Sequence, residues 1–222
     1  PFYLGKLQDG LALDPLTGYS RIMVPFFAGS ESARLTLLTK SGNVDNLLGL
    51  DHAGHTILSW SLSPRPICEE FETNTPSLDD RLGAMERCVS SGYPVRAVIM
   101  PIIPVPHWDE IYADFVKELL ERITLERITL GGVCMYQTAY GLMKGKLPPD
   151  NALTENIVTN KKESSDGRMR YSREMRTTVY SHLIREIRRR QPAIPIALCL
   201  EEDPVWEKTG IAGNKGRCNC VL

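Results

Sequence analysis

The sequence has no long hydrophobic run and almost no net charge. No apolar stretch reaches about 18 residues, the length expected of a membrane-spanning helix, so no contact with a membrane is predicted. The 26 lysines and arginines nearly balance the 27 acidic residues, which gives a formal net charge of −1. A chain without an overall positive field does not attract nucleic acid globally, so any contact with DNA must use a local basic patch.

The sequence also lacks the cysteine spacings of common zinc sites, and no metal ligands are predicted. Its six cysteines are scattered through apolar or helical segments, which favours reduced thiols and a cytoplasmic location. Their positions are Cys68, Cys88, Cys134, Cys199, Cys218 and Cys220. The segment Cys218-Asn219-Cys220 is too short for a C-x2-C zinc knuckle. Metal binding and a redox pair are alternatives there, and a solvent-facing tail is the favoured interpretation.

What the sequence does contain is an alternation of strand-like and helix-like segments. This alternation predicts βαβ units, a parallel sheet and one large α/β domain over residues 1–222. Strands are predicted at 2–7, 34–39, 56–61, 95–103, 127–133 and 194–200. Helices are predicted at 43–48, 67–71, 78–91, 108–123 and 172–190. Residues 144–170 are interpreted as an irregular excursion and residues 210–222 as a tail.

Two local signals are specific enough to be tested one residue at a time. Ser77, followed by Asp79 and Asp80, is typical of a helix start, because a serine side chain accepts a backbone hydrogen bond and acidic residues suit the first turn. Gly131 and Gly132 close a predicted strand, which indicates that the backbone closely approaches another group there.

Polar side chains stand at the ends of two consecutive predicted strands. Lys40 closes the first, and Ser61 lies near the end of the second. Two strands joined by a helix are expected to be parallel neighbours, and α/β proteins bind ligands at the carboxyl ends of such strands. Lys40 and Ser61 are therefore predicted to face one small molecule, with Ser59 as the substitute for Ser61 because side chains alternate along a strand.

Several sequence blocks, taken in order, resemble the spore photoproduct lyase family. The most distinctive runs over residues 71–82 and reads FETNTPSLDDRL. The other blocks are residues 37–48, 56–63, 91–93 and 98–102, together with Trp108. The resemblance is close over residues 2–110 and loose beyond them.

The resemblance implies a radical S-adenosylmethionine enzyme of DNA repair with a partial (β/α) barrel of parallel strands. Such an enzyme binds a [4Fe–4S] cluster and S-adenosylmethionine, and uses a deoxyadenosyl radical to split a thymine photodimer. On this basis, Lys40 is expected to pair with the carboxylate of S-adenosylmethionine. Ser61 or Ser59 is expected to bond its ribose or amino-acid group, and Met100 is also assigned to the cofactor site.

The sequence departs from the family pattern at two places. No cysteines have the C-x3-C-x2-C spacing that holds the family's cluster, so the ligands are expected upstream of Pro1 and the chain is expected to be part of a longer protein, inactive alone. A complete relative without a cluster is the alternative. Lys6 lies near the place where the lyase has its hydrogen-donating cysteine. Without the preceding strand, the strand at residues 2–7 is expected to expose an edge and to favour self-association.

Basic residues in the second half of the chain are the candidates for contact with DNA. Arg168, Arg170 and Tyr171 lie at or next to the irregular excursion and are the favoured substrate-binding residues. Arginines 188–190 end a predicted helix, where cations are common because they complement the helix dipole.

Two other classes of function stay open at this point. One is a non-catalytic relative that binds nucleic acid through its arginines without an S-adenosylmethionine pocket. The other is a barrel hydrolase that uses His52, His55 or the acidic residues 201–203.

Overall fold

The main feature of the fold is a parallel sheet of six strands. The computed structural model describes residues 1–5, 8–149, 151–158 and 166–221. The order of strands in this sheet is β1-β2-β3-β4-β5-β9, and each neighbouring pair is parallel. The predicted α/β class and parallel strands are confirmed, and the barrel is partial and not closed.

The strands of the large sheet are β1 (Phe2–Leu4), β2 (Leu35–Thr39), β3 (Thr56–Leu62), β4 (Val95–Ile102), β5 (Arg127–Gly132) and β9 (Ile196–Leu198). A small antiparallel sheet contains β6 (Cys134–Met135), β7 (Ile157–Val158) and β8 (Met169–Tyr171). The helices are α1 (Asp14–Thr17), α2 (Ser20–Ala28), α3 (Arg65–Phe71), α4 (Leu78–Ser90), α5 (Trp108–Arg122), α6 (Gln137–Lys144), α7 (Ala152–Glu155), α8 (Arg173–Arg190) and α9 (Asp203–Lys208). Among the described helices, none is both long and apolar enough to cross a membrane.

The two faces of the large sheet differ in chemistry. Alternate residues on one face, such as Leu37, Leu58 and Ile99, pack with apolar residues of α4, α5 and α8 in the main core. Burial of each such side chain contributes about 1.5–3 kcal/mol to folding. The opposite face, called the inner face below, carries mainly polar or mixed side chains. Its members include Tyr3, Thr36, Ser59, Ser61, Arg96, Val98, Met100, Arg127 and Thr129.

The two local signals are confirmed by the structure. Ser77 caps α4, and a capping box forms because its side chain accepts from the Asp80 amide while the Asp80 side chain accepts from the Ser77 amide. A Cβ atom added to Gly131 would lie 2.7 Å from the sulfur of Met100, and Gly132 donates its amide to the Tyr180 hydroxyl at 2.6 Å.

Three sequence-based expectations about local structure are wrong. The predicted helix at 43–48 is a series of turns with the buried side chains of Val44 and Leu47, yet β2 and β3 are parallel neighbours as expected. The excursion at 144–170 contains α7, β7 and part of β8. The tail does not simply face solvent, because Asn219 is buried against the inner face. Each segment has a long-range contact that local patterns do not report. Tyr93 donates to the carbonyl of Leu47, Tyr171 donates to that of Leu153, and Ser59 donates to Asn219.

The first strand of the large sheet is shorter than predicted. Strand β1 is the edge of the sheet and ends at Leu4, whereas the predicted strand continued to Leu7. Lys6, the residue near the expected hydrogen-donor position, lies outside the described residues. Self-association through this edge stays a prediction.

Candidate functional site

A cavity of about 290 Å³ lies at the carboxyl ends of β2 and β3. Both Lys40 and Ser61 line it, so the two side chains that were expected to face one small molecule do share a cavity. The other lining residues are Gly5, Gln8, Asp9, Leu38 and Thr39. This cavity is called the rim cavity below.

The ammonium group of Lys40 is fixed by a buried carboxylate. Its Nζ lies 2.6 Å from Oε1 of Glu72, whose side chain is only 7% exposed, while the Lys40 side chain is 30% exposed. An ammonium has three N–H donors. The ion pair with Glu72 therefore orients Lys40 at the cavity and leaves it able to donate to a ligand.

Glu72 is in turn held by Arg81, which is fully buried. The Arg81 guanidinium donates to Oε2 of Glu72 at 2.6 Å, and Ser63 Oγ donates to Oε1 at 3.0 Å. Arg81 also donates to the carbonyl of Ser61 at 3.1 Å and to that of Pro76 at 3.0 Å. The FETNTPSLDDRL block thus joins the end of β3 to Lys40 through one buried ion network.

The charges around Glu72 favour its ionised form. Burial alone raises the pKa of this carboxyl, but the hydrogen bonds and positive charges of Lys40 and Arg81 outweigh burial and hold the pKa below its ordinary value. Two cations surround this one carboxylate, so the cluster has one excess positive charge. Such a cluster suits the binding of an anionic group.

We expect acid to weaken the fold through Glu72. A carboxyl whose pKa is lowered on folding contributes stability above its unfolded pKa of about 4.3, and the contribution disappears as pH falls through the folded pKa. Urea unfolding between about pH 5 and about pH 3 should show this loss, and Glu72→Gln should have a flatter dependence on pH. The same dependence in Glu72→Gln as in the parent would contradict the assignment.

Asp9 also lines the rim cavity, and no sequence pattern assigned it to a ligand site. Its Oδ1 accepts from the Thr39 hydroxyl at 2.6 Å, and its Oδ2 accepts from the backbone amide of Lys40 at 2.6 Å. Oδ1 also accepts from the amides of Leu11 and Ala12, each at 2.8 Å. Asp9 therefore fixes the loop after β1 onto the end of β2. Only the Asp9-Gly10 turn signal marks this region in the sequence.

The three other proposed cofactor residues lie on the inner face, but in different environments. Ser61 donates to the carbonyl of Met100 at 3.1 Å and lines the rim cavity. The Met100 sulfur lies against Gly131. Ser59 is buried and donates to Oδ1 of Asn219 at 2.9 Å, so its hydroxyl is used by the tail.

The proposed DNA-binding residues lie at another cavity, of about 530 Å³, near the carboxyl end of β9. Arg168 lines this cavity and lies over the Tyr136 ring, 5.3 Å from its centre. Arg170 also lines it, but it is buried and makes two hydrogen bonds of 2.6 and 2.7 Å to Asp166. Tyr171 is 2% exposed and donates to the carbonyl of Leu153 at 3.1 Å. Arg168 is thus the most accessible of the three residues.

The residues suggested for a hydrolase are at opposite ends of the sheet. His52 stacks on Tyr93 with ring centres 3.9 Å apart, and His55 immediately precedes β3. Glu201 follows β9 at the other end, is buried, and accepts from Tyr180 at 2.8 Å. Within the described ranges, no group of three or more His, Cys, Asp or Glu side chains is arranged to hold a metal ion.

Comparisons with known proteins agree on one family. The family model described as spore photoproduct lyase matches residues 4–143. A spore photoproduct lyase of Geobacillus sp. (strain Y412MC61) is 32% identical over 125 residues, which are 55% of this chain and 37% of that protein. The spore photoproduct lyase of Bacillus subtilis (strain 168) is 30% identical over 112 residues, which are 50% of this chain and 33% of that protein. The match therefore spans about a third of these relatives.

Solved structures show the same fold over most of the chain. A spore photoproduct lyase complexed with dinucleoside spore photoproduct has a TM-score of 0.76 and 22% identity, covering 89% of this chain and 59% of that one. A spore photoproduct lyase mutant with bound AdoMet and dinucleoside spore photoproduct has a TM-score of 0.77 and 23% identity, and the match covers 89% of this chain and 59% of that one.

Proposed function

Because the chain belongs to the spore photoproduct lyase family, we propose that it forms the S-adenosylmethionine-binding wall of a DNA repair lyase that acts on a thymine photodimer. The observation that carries this proposal is the shared placement of Lys40 and Ser61 at the rim cavity. One solved relative of the same fold has AdoMet bound.

The residues of the rim cavity suit the amino-acid end of S-adenosylmethionine. Lys40 is held in place by Glu72 and is the cation for the carboxylate. The Ser61 hydroxyl can accept a hydrogen bond from the amino group or the ribose while it donates to Met100. Leu38 adds an apolar side chain to the lining of the rim cavity. When bound, S-adenosylmethionine would supply the radical chemistry of the reaction.

The residues of this chain suit S-adenosylmethionine but do not suit a [4Fe–4S] cluster. The cysteines lack the C-x3-C-x2-C spacing, and the part of the chain that the structure describes has no cluster of metal-ligating side chains. The proposal therefore covers the cofactor wall and the positioning of substrate, and it assigns no cluster ligand here.

We place the DNA lesion near Arg168. The cavity that this arginine lines and the rim cavity both lie at the carboxyl ends of strands of one parallel sheet, so cofactor and lesion can be bound at the same edge. Arg168 is 26% exposed and is the phosphate contact in this proposal. Arg170 and Tyr171 anchor β8, which begins one residue after Arg168.

Replacement of Arg168 by alanine should weaken binding of a short oligonucleotide that contains the thymine photodimer by roughly fivefold to tenfold, because a charge-assisted contact is lost. The slope of the logarithm of the binding constant against the logarithm of salt concentration should decrease by the amount expected for about one phosphate contact. Fluorescence anisotropy at several salt concentrations measures both. Arg185→Ala, an exposed arginine of α8, is the matched control and should bind as the parent does. Equal losses in both variants, or none in Arg168→Ala, would remove Arg168 from the site.

A further inference from the structure

The last described residues place two cysteines on one turn. The amide of Val221 donates to the carbonyl of Cys218 at 3.2 Å, so residues 218–221 form a β-turn with Asn219 and Cys220 at its centre. The Cα atoms of residues two positions apart are separated by at most about 7 Å, and a turn shortens this distance. The Cα separation of Cys218 and Cys220 is therefore in the range that a disulfide requires.

The turn is bound to the inner face of the sheet by side chains from four strands. Arg127 donates to the carbonyls of Cys218 and Val221 at 3.2 and 3.0 Å, and Arg96 donates to that of Val221 at 3.0 Å. Asn219 accepts from Ser59 at 2.9 Å and donates to the Tyr3 hydroxyl at 3.0 Å. These contacts fix the backbone of the turn that carries the two cysteines.

The environment of the turn activates one of the two thiols. The hydrogen bond from Cys220 is the largest influence and, with backbone hydrogen bonds and the charge of Arg127, lowers the pKa of Cys218 to about 6 despite burial. By contrast, burial raises the pKa of Cys68, Cys88 and Cys134. Cys218 is only partly buried, so a small reagent can reach it.

We propose that Cys218 and Cys220 form a redox-active dithiol whose oxidant is a low-molecular-weight disulfide such as oxidised glutathione. The Cys218 thiolate attacks one sulfur of the reagent, the reagent's S–S bond breaks, and one small thiolate leaves. The Cys220 thiol then loses its proton and attacks Cys218 Sγ, which releases the second small thiol. The chain loses two electrons and ends with a Cys218–Cys220 disulfide, and the reagent is reduced to two thiols.

The test is reaction of the folded chain with oxidised glutathione, followed by alkylation and peptide mass analysis. We expect the peptide containing both cysteines to become lighter by two hydrogens. Cys220→Ser should instead accumulate a glutathione adduct on Cys218. In the parent protein at about pH 6, Cys218 and Cys220 should oxidise roughly tenfold faster than Cys134 gains a glutathione adduct, because far more of Cys218 is thiolate, although its lower pKa makes each thiolate less nucleophilic.

Two controls separate this chemistry from general thiol oxidation. Cys134→Ser should leave formation of the Cys218–Cys220 disulfide unchanged, and Cys218→Ser should abolish it and react more slowly at Cys220. The proposal is overturned if the disulfide forms only in urea-unfolded chain. It is also overturned if, in the parent protein at about pH 6, Cys134 gains a glutathione adduct as fast as the Cys218–Cys220 disulfide forms.

Discussion

Arg81→Met should lower the free energy of unfolding by about 3–5 kcal/mol, the cost of removing one partner of a buried ion pair. Arg81 has no exposed surface, and its guanidinium reaches Glu72, Thr75 and the carbonyls of Ser61 and Pro76. Without it, the buried Glu72 carboxylate keeps Lys40, Ser63 and a long contact from the Cys68 thiol, and two backbone carbonyls lose a donor. Urea unfolding followed by circular dichroism measures the change.

The matched control for this prediction is Arg65→Met. Arg65 lies on the nearby helix α3 and pairs with Asp79 and Glu118, but its side chain is 43% exposed. Exposed ion pairs contribute about 0.2–1 kcal/mol because water and salt screen them. If the two variants lose similar stability, the FETNTPSLDDRL block does not stabilise the fold in the way described here.

The comparison of Arg81 with Arg65 shows what sequence patterns report and what they omit. Both are arginines close to a helix start, and no local pattern separates the buried one from the exposed one. The FETNTPSLDDRL block was identified as a family signature from its amino-acid sequence alone. Its physical role, holding Glu72 against Lys40, became visible only when β2, β3 and α4 were placed together.

Features set by local physics could be predicted from the sequence. The strands of the large sheet followed from apolar runs, the start of α4 from Ser77 and Asp80, and the close approach at Gly131 from its position at the end of a strand. Placement of Lys40 and Ser61 at one edge followed from parallel pairing. Each of these depends on neighbouring residues or on a general rule of sheet topology.

Features set by distant contacts could not be predicted in this way. Asp9 bonds to Lys40 across 31 positions, and Ser59 bonds to Asn219 across 160 positions. The first contact makes Asp9 a wall of the rim cavity, and the second buries the tail that was expected to face solvent. In both cases a short polar segment is ordered by groups that are remote in sequence, so its own composition indicates only a turn or a tail.

Lys40→Ala should weaken binding of S-adenosylmethionine by about 1.5–3 kcal/mol, the range for a hydrogen bond to a charged group. The methionine carboxylate would lose the cation that Glu72 holds at the rim cavity. Lys40→Arg should recover part of the loss, because the charge persists while the planar fork replaces a point ammonium. Titration calorimetry with S-adenosylmethionine measures both effects.

Lys117→Ala, an exposed lysine of α5, is the control for the loss of one positive charge and should bind the cofactor as the parent does. Binding of the lesion-containing oligonucleotide should change little in Lys40→Ala, because the proposed phosphate contact is Arg168 at the other cavity. If cofactor binding instead stays within about twofold, or 0.4 kcal/mol, while oligonucleotide binding collapses, Lys40 contacts phosphate. The cofactor would then have to bind elsewhere on the inner face, and the rim cavity would be a DNA-binding site.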